Sequence, residues 1–321
     1  MQSDKTERLP SITPRKNDRS FMKTLKKNWL LLVMLIPAVT VVLVFSYWPM
    51  TGIILAFKNY RVVDGIYRSP WVGLTNFRFL LLSGKLWPIT RNTLLYNLVF
   101  IIVNTTMELT FAVMLSEIIG KYFKKITQTM MFMPYFISWV VIKAVLYNIF
   151  SFEKGVLNNL LITIGLERFN LYNTPNAWPF LLVFLKLWKS AGYGTVVYLA
   201  AITALDREMY EAADIDGANI WQKVFRITLP CLVPTIFILL LLAVGGIFRG
   251  DFGLFYQTVG NNALLLPLTD IIDTYVFRAL MNSGDIGMAA ASGFYQSVMC
   301  FATILLFNWL VKKYEADYSL F

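Results

Sequence analysis

EAADIDGANIWQKVFRITLP, residues 211–230, is a polar stretch lying between two strongly apolar ones. Its local chemistry predicts two short helices. Asp206 stands where a helix N-cap is wanted, and Glu208 and Glu211 follow in the first turns, where the helix dipole favours negative charge. Met209, Ala212, Ala213 and Ile215 supply an apolar stripe at helical spacing. Gly217 then suits a C-terminal stop, because glycine takes a left-handed backbone without steric cost. A second short helix over 218–225 is expected to end before Pro230, which cannot continue it from inside. Two such helices at an angle make a compact knob, and Ala212 and Ala213 leave its face flat enough for another protein to approach closely. Read alone, a helix–glycine–helix loop is usually an ordinary amphipathic loop. Its surroundings decide otherwise.

Outward from this hairpin the chain is apolar. Of its 321 residues, 57% are apolar and 15% charged, whereas a soluble domain is near half apolar and about a quarter charged. The chain reads as solvated by lipid. Its net charge of +10 is not a nucleic-acid footprint, since eight of the Lys and Arg precede Asn28 and read as a topology signal. Histidine is absent, which removes the commonest general base and the commonest metal ligand. Cys231 and Cys300 are far apart and fall in or at predicted spans, so neither a disulfide framework nor a metal site is expected. The apolar run from Trp29 is too long for a signal core and lacks a small-residue cleavage pattern, so it is expected to remain as a first span.

Six spans are predicted, over 29–57, 89–117, 126–150, 177–204, 231–248 and 288–311. Each reaches the roughly 20 residues that cross the hydrocarbon, or comes within tilt of it. Backbone groups in lipid must be satisfied internally, so the spans are helices and the fold is all-α integral membrane. Residues 1–28 form a basic tail, 58–88 a loop whose Trp71, Phe77 and Trp87 suit an interface, and 312–321 a short polar end. Helix-like spacing also appears around 156–164 and 270–280. An even number of spans puts both termini on one side, together with the hairpin. That side carries sixteen Lys and Arg against eight on the other, which makes it the cytosolic one.

The chain has no phosphate-binding loop. Its Gly-Lys pairs, Gly84-Lys85 and Gly120-Lys121, are followed by Leu86 and Tyr122 rather than Ser or Thr. Charged residues inside spans are costly and usually face a cavity or a partner. Lys143, Lys186, Lys189 and Arg249 are such cations, and Glu108 is the one carboxylate well inside a span. Lys186 and Lys189 share a face that Tyr193 continues. Two readings stand side by side: the lysines snorkel or pair with a neighbouring subunit, or some line a path for an anionic or hydroxyl-rich substrate, with Trp188 and Tyr193 as stacking faces. Gly246 and Gly250 match a small-residue helix-contact pattern, which arises often by chance.

The hairpin resembles the EAA loop of permease subunits of ATP-binding-cassette importers: Glu211, Ala212, Ala213, three residues, Gly217, nine residues, then Ile227, Leu229 and Pro230. YWPMTGIILAFKNY (47–60), WVGLTNF (71–77), MPYFISW (133–139) and ADYSLF (316–321) resemble the sugar-importing branch, in its polysaccharide and multiple-sugar group. The resemblance implies a five-helix permease core over 89–311 with its coupling loop at 206–230, plus one additional N-terminal helix at 29–57. It implies a second permease, making a heterodimer, and two cytosolic ATPase subunits that hold the ATP and magnesium. It also implies an extracellular binding protein that delivers an oligosaccharide, all at the bacterial plasma membrane. Glu211, Ala212, Ala213, Gly217, Ile227, Leu229 and Pro230 would couple the chain to the ATPases. No cofactor, catalytic residue or metal is expected in this chain. Uronic-acid-containing oligosaccharides would suit the cationic spans. The same fold carrying an amino acid, phosphate or metal chelate is the alternative solute reading, and a membrane enzyme or sensor is the alternative class.

Overall fold

Apolar runs of this length can satisfy their backbone without water only as helices or closed barrels. The computed structural model, which describes residues 27–82 and 84–314, is built from helices. Residues 1–26 of the predicted basic tail and the 315–321 end, with its ADYSLF motif, lie outside the described residues. Among the described residues there is no strand, only an isolated antiparallel bridge between Lys58 and Trp71.

The chain divides into two units, one ending at Gly52 and the other beginning at Ile53. In the first, α1 (Trp29–Val42) passes into a π-helical turn, Leu43–Tyr47, and then into a 3-10 segment beginning at Trp48. Pro37 lies inside α1, and the irregular turn falls just ahead of Pro49, which has no N–H to donate. Every side chain of α1 is exposed, as suits a helix whose solvent is lipid.

In the second unit the predicted loop over 58–88 contains α2 (Gly65–Arg68) and α3 (Thr75–Leu82). Phe77 packs on Phe57 and Phe294, with ring centres 5.4 and 5.9 Å away, whereas Trp71 and Trp87 stay exposed. The long helices are α4 (Leu86–Ser116), α8 (Trp178–Thr203), α11 (Leu229–Gly245) and α15 (Ile286–Tyr314). α4 packs along α8, and α11 against α15.

The third span is not the single helix expected over 126–150. α5 (Lys121–Phe132) runs into a 3-10 turn, Met133–Phe136, and meets α6 (Trp139–Phe150) across a bend of 95°. The cause is local. Pro134 lacks an N–H, Ile137 is extended, and Ser138 starts a new helix by accepting from the Val141 N–H at 3.4 Å. Counting the described residues, five helical runs are long and apolar enough to cross a membrane, and a sixth if this bent pair is one span. The protein is an all-α integral membrane protein.

α7 (Val156–Thr163) occupies the expected helical patch after the bend. Residues 249–287 hold more structure than their glycines and asparagines suggest: α12 (Phe252–Val259), α13 (Leu266–Thr269) and α14 (Ile272–Ser283). Leu254, Phe255 and Ile271 from this segment join Tyr96, Phe100 and Trp178 in one buried cluster. A second cluster, with Ala112, Leu115, Tyr198, Leu199 and Leu232, lies further along α4 and α8. The stretch of both helices between the two clusters carries the polar residues.

Candidate functional site: a polar cavity and an exposed helical knob

A cavity of about 320 Å³ opens between α4, α8 and α11 in that intervening stretch. Glu108, Asn104 and Thr105 face it from α4, and Lys186, Tyr193 and Tyr198 from α8. Three of the predicted residues, Glu108, Lys186 and Tyr193, are thus brought to one cavity. The placing of the Glu108 carboxylate depends on glycine. A Cβ on Gly194 would collide with the Glu108 carboxylate, so only a bare backbone lets that acid lie against α8.

Lys186 donates to Asp251 Oδ2 at 2.9 Å, and both side chains are partly buried. The other oxygen of Asp251 accepts from the Leu254 N–H at 3.1 Å and so caps α12. Sequence reasoning missed Asp251 because the segment looked like a loop. Its signal was an acid directly ahead of the apolar run FGLFY, where an N-cap belongs. An ammonium has three donors, so the pair with Asp251 leaves Lys186 able to hold a further acceptor in the cavity.

Lys189, one turn along, has a different occupation. Its Nζ donates to the carbonyls of Tyr135 (2.7 Å), Ile137 (2.5 Å) and Pro134 (3.4 Å), and lies over the Tyr135 and Trp139 rings. These carbonyls belong to the break between α5 and α6, where the helical ladder is interrupted and only Pro134 also accepts a backbone N–H, from Ile137 at 3.1 Å. Lys189 therefore holds the bend. Tyr193 stacks on Tyr135, ring centres 5.1 Å apart, and links the bend to the cavity.

The remaining candidates lie elsewhere. Trp188 lines an apolar groove with Phe111, Met130 and Phe184, not the polar cavity, because it sits on another face of α8. Lys143 lines a separate cavity on α6. Arg249 follows the end of α11, and its carbonyl accepts from Asn97 at 3.0 Å. Because α11 ends at Gly245, Gly246 and Gly250 do not form the helix contact their spacing suggested. Gly250 instead gives its N–H to Asp273 at 2.7 Å, and a side chain on Gly250 would run into Ile271. Burial raises the Asp273 carboxyl above the ordinary range, opposed by the Gly250 N–H, Gln296 and Arg249.

In the hairpin, α9 (Arg207–Ile215) is capped by Asp206, which accepts from the Glu208 N–H at 3.0 Å. Gly217 has φ +74°, the left-handed turn expected of it. The second helix does not stop before Pro230. α10 (Ile220–Lys223) passes through a π turn, Val224–Thr228, straight into α11, giving one continuous rod over Ile220–Gly245. Pro230 falls in the first turn of α11, where its missing N–H goes unneeded, and the wide turn absorbs the mismatch. Two contacts stiffen the hairpin: Lys223 to Asp214 at 2.8 Å, and the Tyr210 hydroxyl to the Thr228 hydroxyl at 2.9 Å. Ile215, Trp221 and Phe225 stand out from it, 88%, 70% and 62% exposed. Apolar side chains so placed on a stiff element suit contact with another protein. Of the motif residues, Thr228 is buried under the hairpin, Ile227 and Leu229 are half-buried, and Glu211 and Ala212 are exposed.

A family described as binding-protein-dependent transport system inner membrane component matches residues 108–316, from the cavity carboxylate through the hairpin into α15. The chain is 32% identical over 302 residues to the polygalacturonan/rhamnogalacturonan transport system permease protein YteP of Bacillus subtilis (strain 168), spanning 94% of this chain and 93% of that one. It is 31% identical over 298 residues to Protein LplB of the same organism, with 93% of each covered. A solved structure of a bacterial alginate ABC transporter, in complex with an alginate pentasaccharide-bound periplasmic protein, superposes at TM-score 0.80 and 32% identity. That match covers 91% of this chain and 97% of the other. A helical membrane fold, a stiff exposed hairpin with the EAA spacing and matches over most of the chain agree, and the chain belongs to the inner membrane components of binding-protein-dependent transport systems, the permease subunits of ATP-binding-cassette importers.

Proposed function

We propose that this chain is one of two permease subunits of a bacterial plasma-membrane importer for oligosaccharides carrying uronic acids. In this reading the cavity holding Glu108, Lys186 and Tyr193 is part of the translocation path. Lys186 in that cavity is the observation that carries the substrate class: it keeps donors free for a sugar carboxylate while anchored on Asp251. The likeness to a polygalacturonan/rhamnogalacturonan permease and to an alginate transporter supports the same class. Glu108 and Tyr193 offer an acceptor for hydroxyls and a ring face for a pyranose.

The motor is a pair of separate ATPase subunits that hold the ATP, and the hairpin is their docking element, with Glu211, Ala212, Ala213 and Gly217 at its first helix. Because α10 is continuous with α11, displacement of the docked knob is carried into the cavity wall without an intervening hinge. ATP closure then turns the cavity to the delivering binding protein, and hydrolysis returns it inward. Both termini lie in the cytosol, on the side of the knob.

The test is uptake and ATP hydrolysis by the assembled complex with its binding protein, given uronic-acid oligosaccharides or neutral ones of equal length. Acidic substrates should stimulate hydrolysis, and Lys186→Met should weaken that response about tenfold, the worth of one charge-assisted hydrogen bond. Equal stimulation by neutral sugars, with a normal Lys186→Met, would remove the substrate assignment. Gly217→Pro and Glu211→Lys should let the protein insert yet uncouple hydrolysis from uptake. Normal uptake by both at normal membrane levels would remove the coupling assignment.

A further inference from the structure

Lys143 does not share the cavity of Lys186. It lies in a second one, of about 450 Å³, between α6 and the end of α12. Val140, Lys143, Ala144 and Tyr147 line it from α6, at the spacing of a single helix face. Tyr172 and Gln257 stand opposite. Its size falls within the range of small-molecule sites. No Asp or Glu lines it, and among the described residues Lys143 has no ion-pair partner. Lys143 is exposed beside this cavity with no carboxylate in its lining, so its charge is free to meet an anion there.

The other walls define what fits. Tyr147 is 60% exposed and offers an open ring face. Tyr172 is held in place by its ring contact with Trp178, 5.5 Å between centres, and by Asn262, whose amide donates to the Tyr172 carbonyl at 2.9 Å. Burial, with a smaller contribution from Tyr147, raises the Tyr172 hydroxyl above its ordinary value, so it remains a donor. α12 ends against the cavity at Gly260, whose N–H donates to the Tyr256 carbonyl, and the carbonyls of Gln257, Thr258 and Val259, all lining residues, have no helical N–H ahead of them. One cation, aromatic faces, a hydroxyl donor, a side-chain amide and backbone acceptors together match a carboxylated pyranose.

We infer that this cavity is a second subsite for one uronic-acid unit, in which Lys143 binds the carboxylate and Tyr147 stacks on the ring. It rests on the reading of the substrate as an acidic oligosaccharide. In the orientation proposed above it lies on the outer side of the Lys186 cavity, so it would hold a unit of the incoming chain before the inner site does.

The test compares Lys143→Gln and Tyr147→Ala with the unaltered protein in the full complex. The substrates are trigalacturonate and its methyl ester, which keeps the shape and removes the charge. Lys143→Gln should raise the KM of uptake for trigalacturonate about tenfold with kcat little changed, and leave the methyl ester's KM as it was. Tyr147→Ala should raise the KM for both. Membrane levels of each variant are measured alongside, and the thermal midpoint confirms folding. An unchanged KM for trigalacturonate in Lys143→Gln overturns the subsite, as does an equal rise for acid and ester. If the unaltered complex takes up no trigalacturonate but does take up neutral sugars, the parent reading of the substrate fails instead.

Discussion

At the scale of single residues, lysines one turn apart on α8 have taken separate work, and substitution should separate them. Lys186→Met is expected to change which substrates stimulate hydrolysis. Lys189→Met removes a charged donor from three carbonyls at the α5–α6 bend and is expected to cost about 2 kcal/mol of stability, chiefly through its short bonds to Tyr135 and Ile137, since the Pro134 carbonyl keeps the Ile137 N–H. The thermal midpoint should fall with substrate preference intact; a shifted preference with normal stability would reverse the two roles. Asp273 gives a pH dependence. Burial raises its carboxyl above the unfolded value, so the folded state binds the proton more tightly. Its contribution is fully present below the unfolded carboxylate range and is lost as pH rises through the raised value. Asp273→Asn keeps an acceptor for Gly250 and should flatten this part of the profile of thermal midpoint against pH, on the alkaline side of the ordinary Asp value. A profile identical to that of the unaltered protein would show that another group sets it.

At the scale of elements, packing is decided by where a side chain is forbidden. A Cβ on Gly192 would enter the Met131 and Phe132 backbone of α5, so α8 touches α5 directly. Nothing lies within 4 Å of the same position on Gly293 in α15. Gly192→Val should therefore abolish stable accumulation in the membrane, while Gly293→Val is tolerated; immunoblotting of membranes measures both. The hairpin's stiffness is also an element property. Asp214→Ala breaks the contact with Lys223, a solvent-screened pair of small worth to stability, so it should loosen coupling without preventing insertion. Its readout is the ratio of sugar taken up to ATP hydrolysed.

At the scale of the whole molecule, the proposed orientation can be read by accessibility. With Cys231 and Cys300 replaced by alanine, a membrane-impermeant maleimide should label Val63→Cys in intact spheroplasts. Ile215→Cys should label only after permeabilisation. Both native positions are almost fully exposed, at 98% and 88%, so failure to label reflects the side of the membrane rather than burial. The reverse pattern would invert the topology and move the hairpin away from any cytosolic ATPase.

The membrane class, the helical spans and the hairpin between the fourth and fifth of them were legible in the sequence. Apolar run length, the Asp206 cap and the Gly217 stop are local properties, fixed within a few residues of where they act. The bend at Pro134 was written there too, since MPYFIS carries its own proline and cap, but a long apolar run concealed it. Tertiary structure alone decided the rest. Pro230 ends a helix or begins one according to what the preceding turn can absorb, and here a π turn carried the rod through. Lys186 and Lys189 look alike in one dimension. Their partners, Asp251 and the carbonyls around Pro134, are brought to them by folding over 65 and about 55 residues of chain, a pairing that local spacing does not encode.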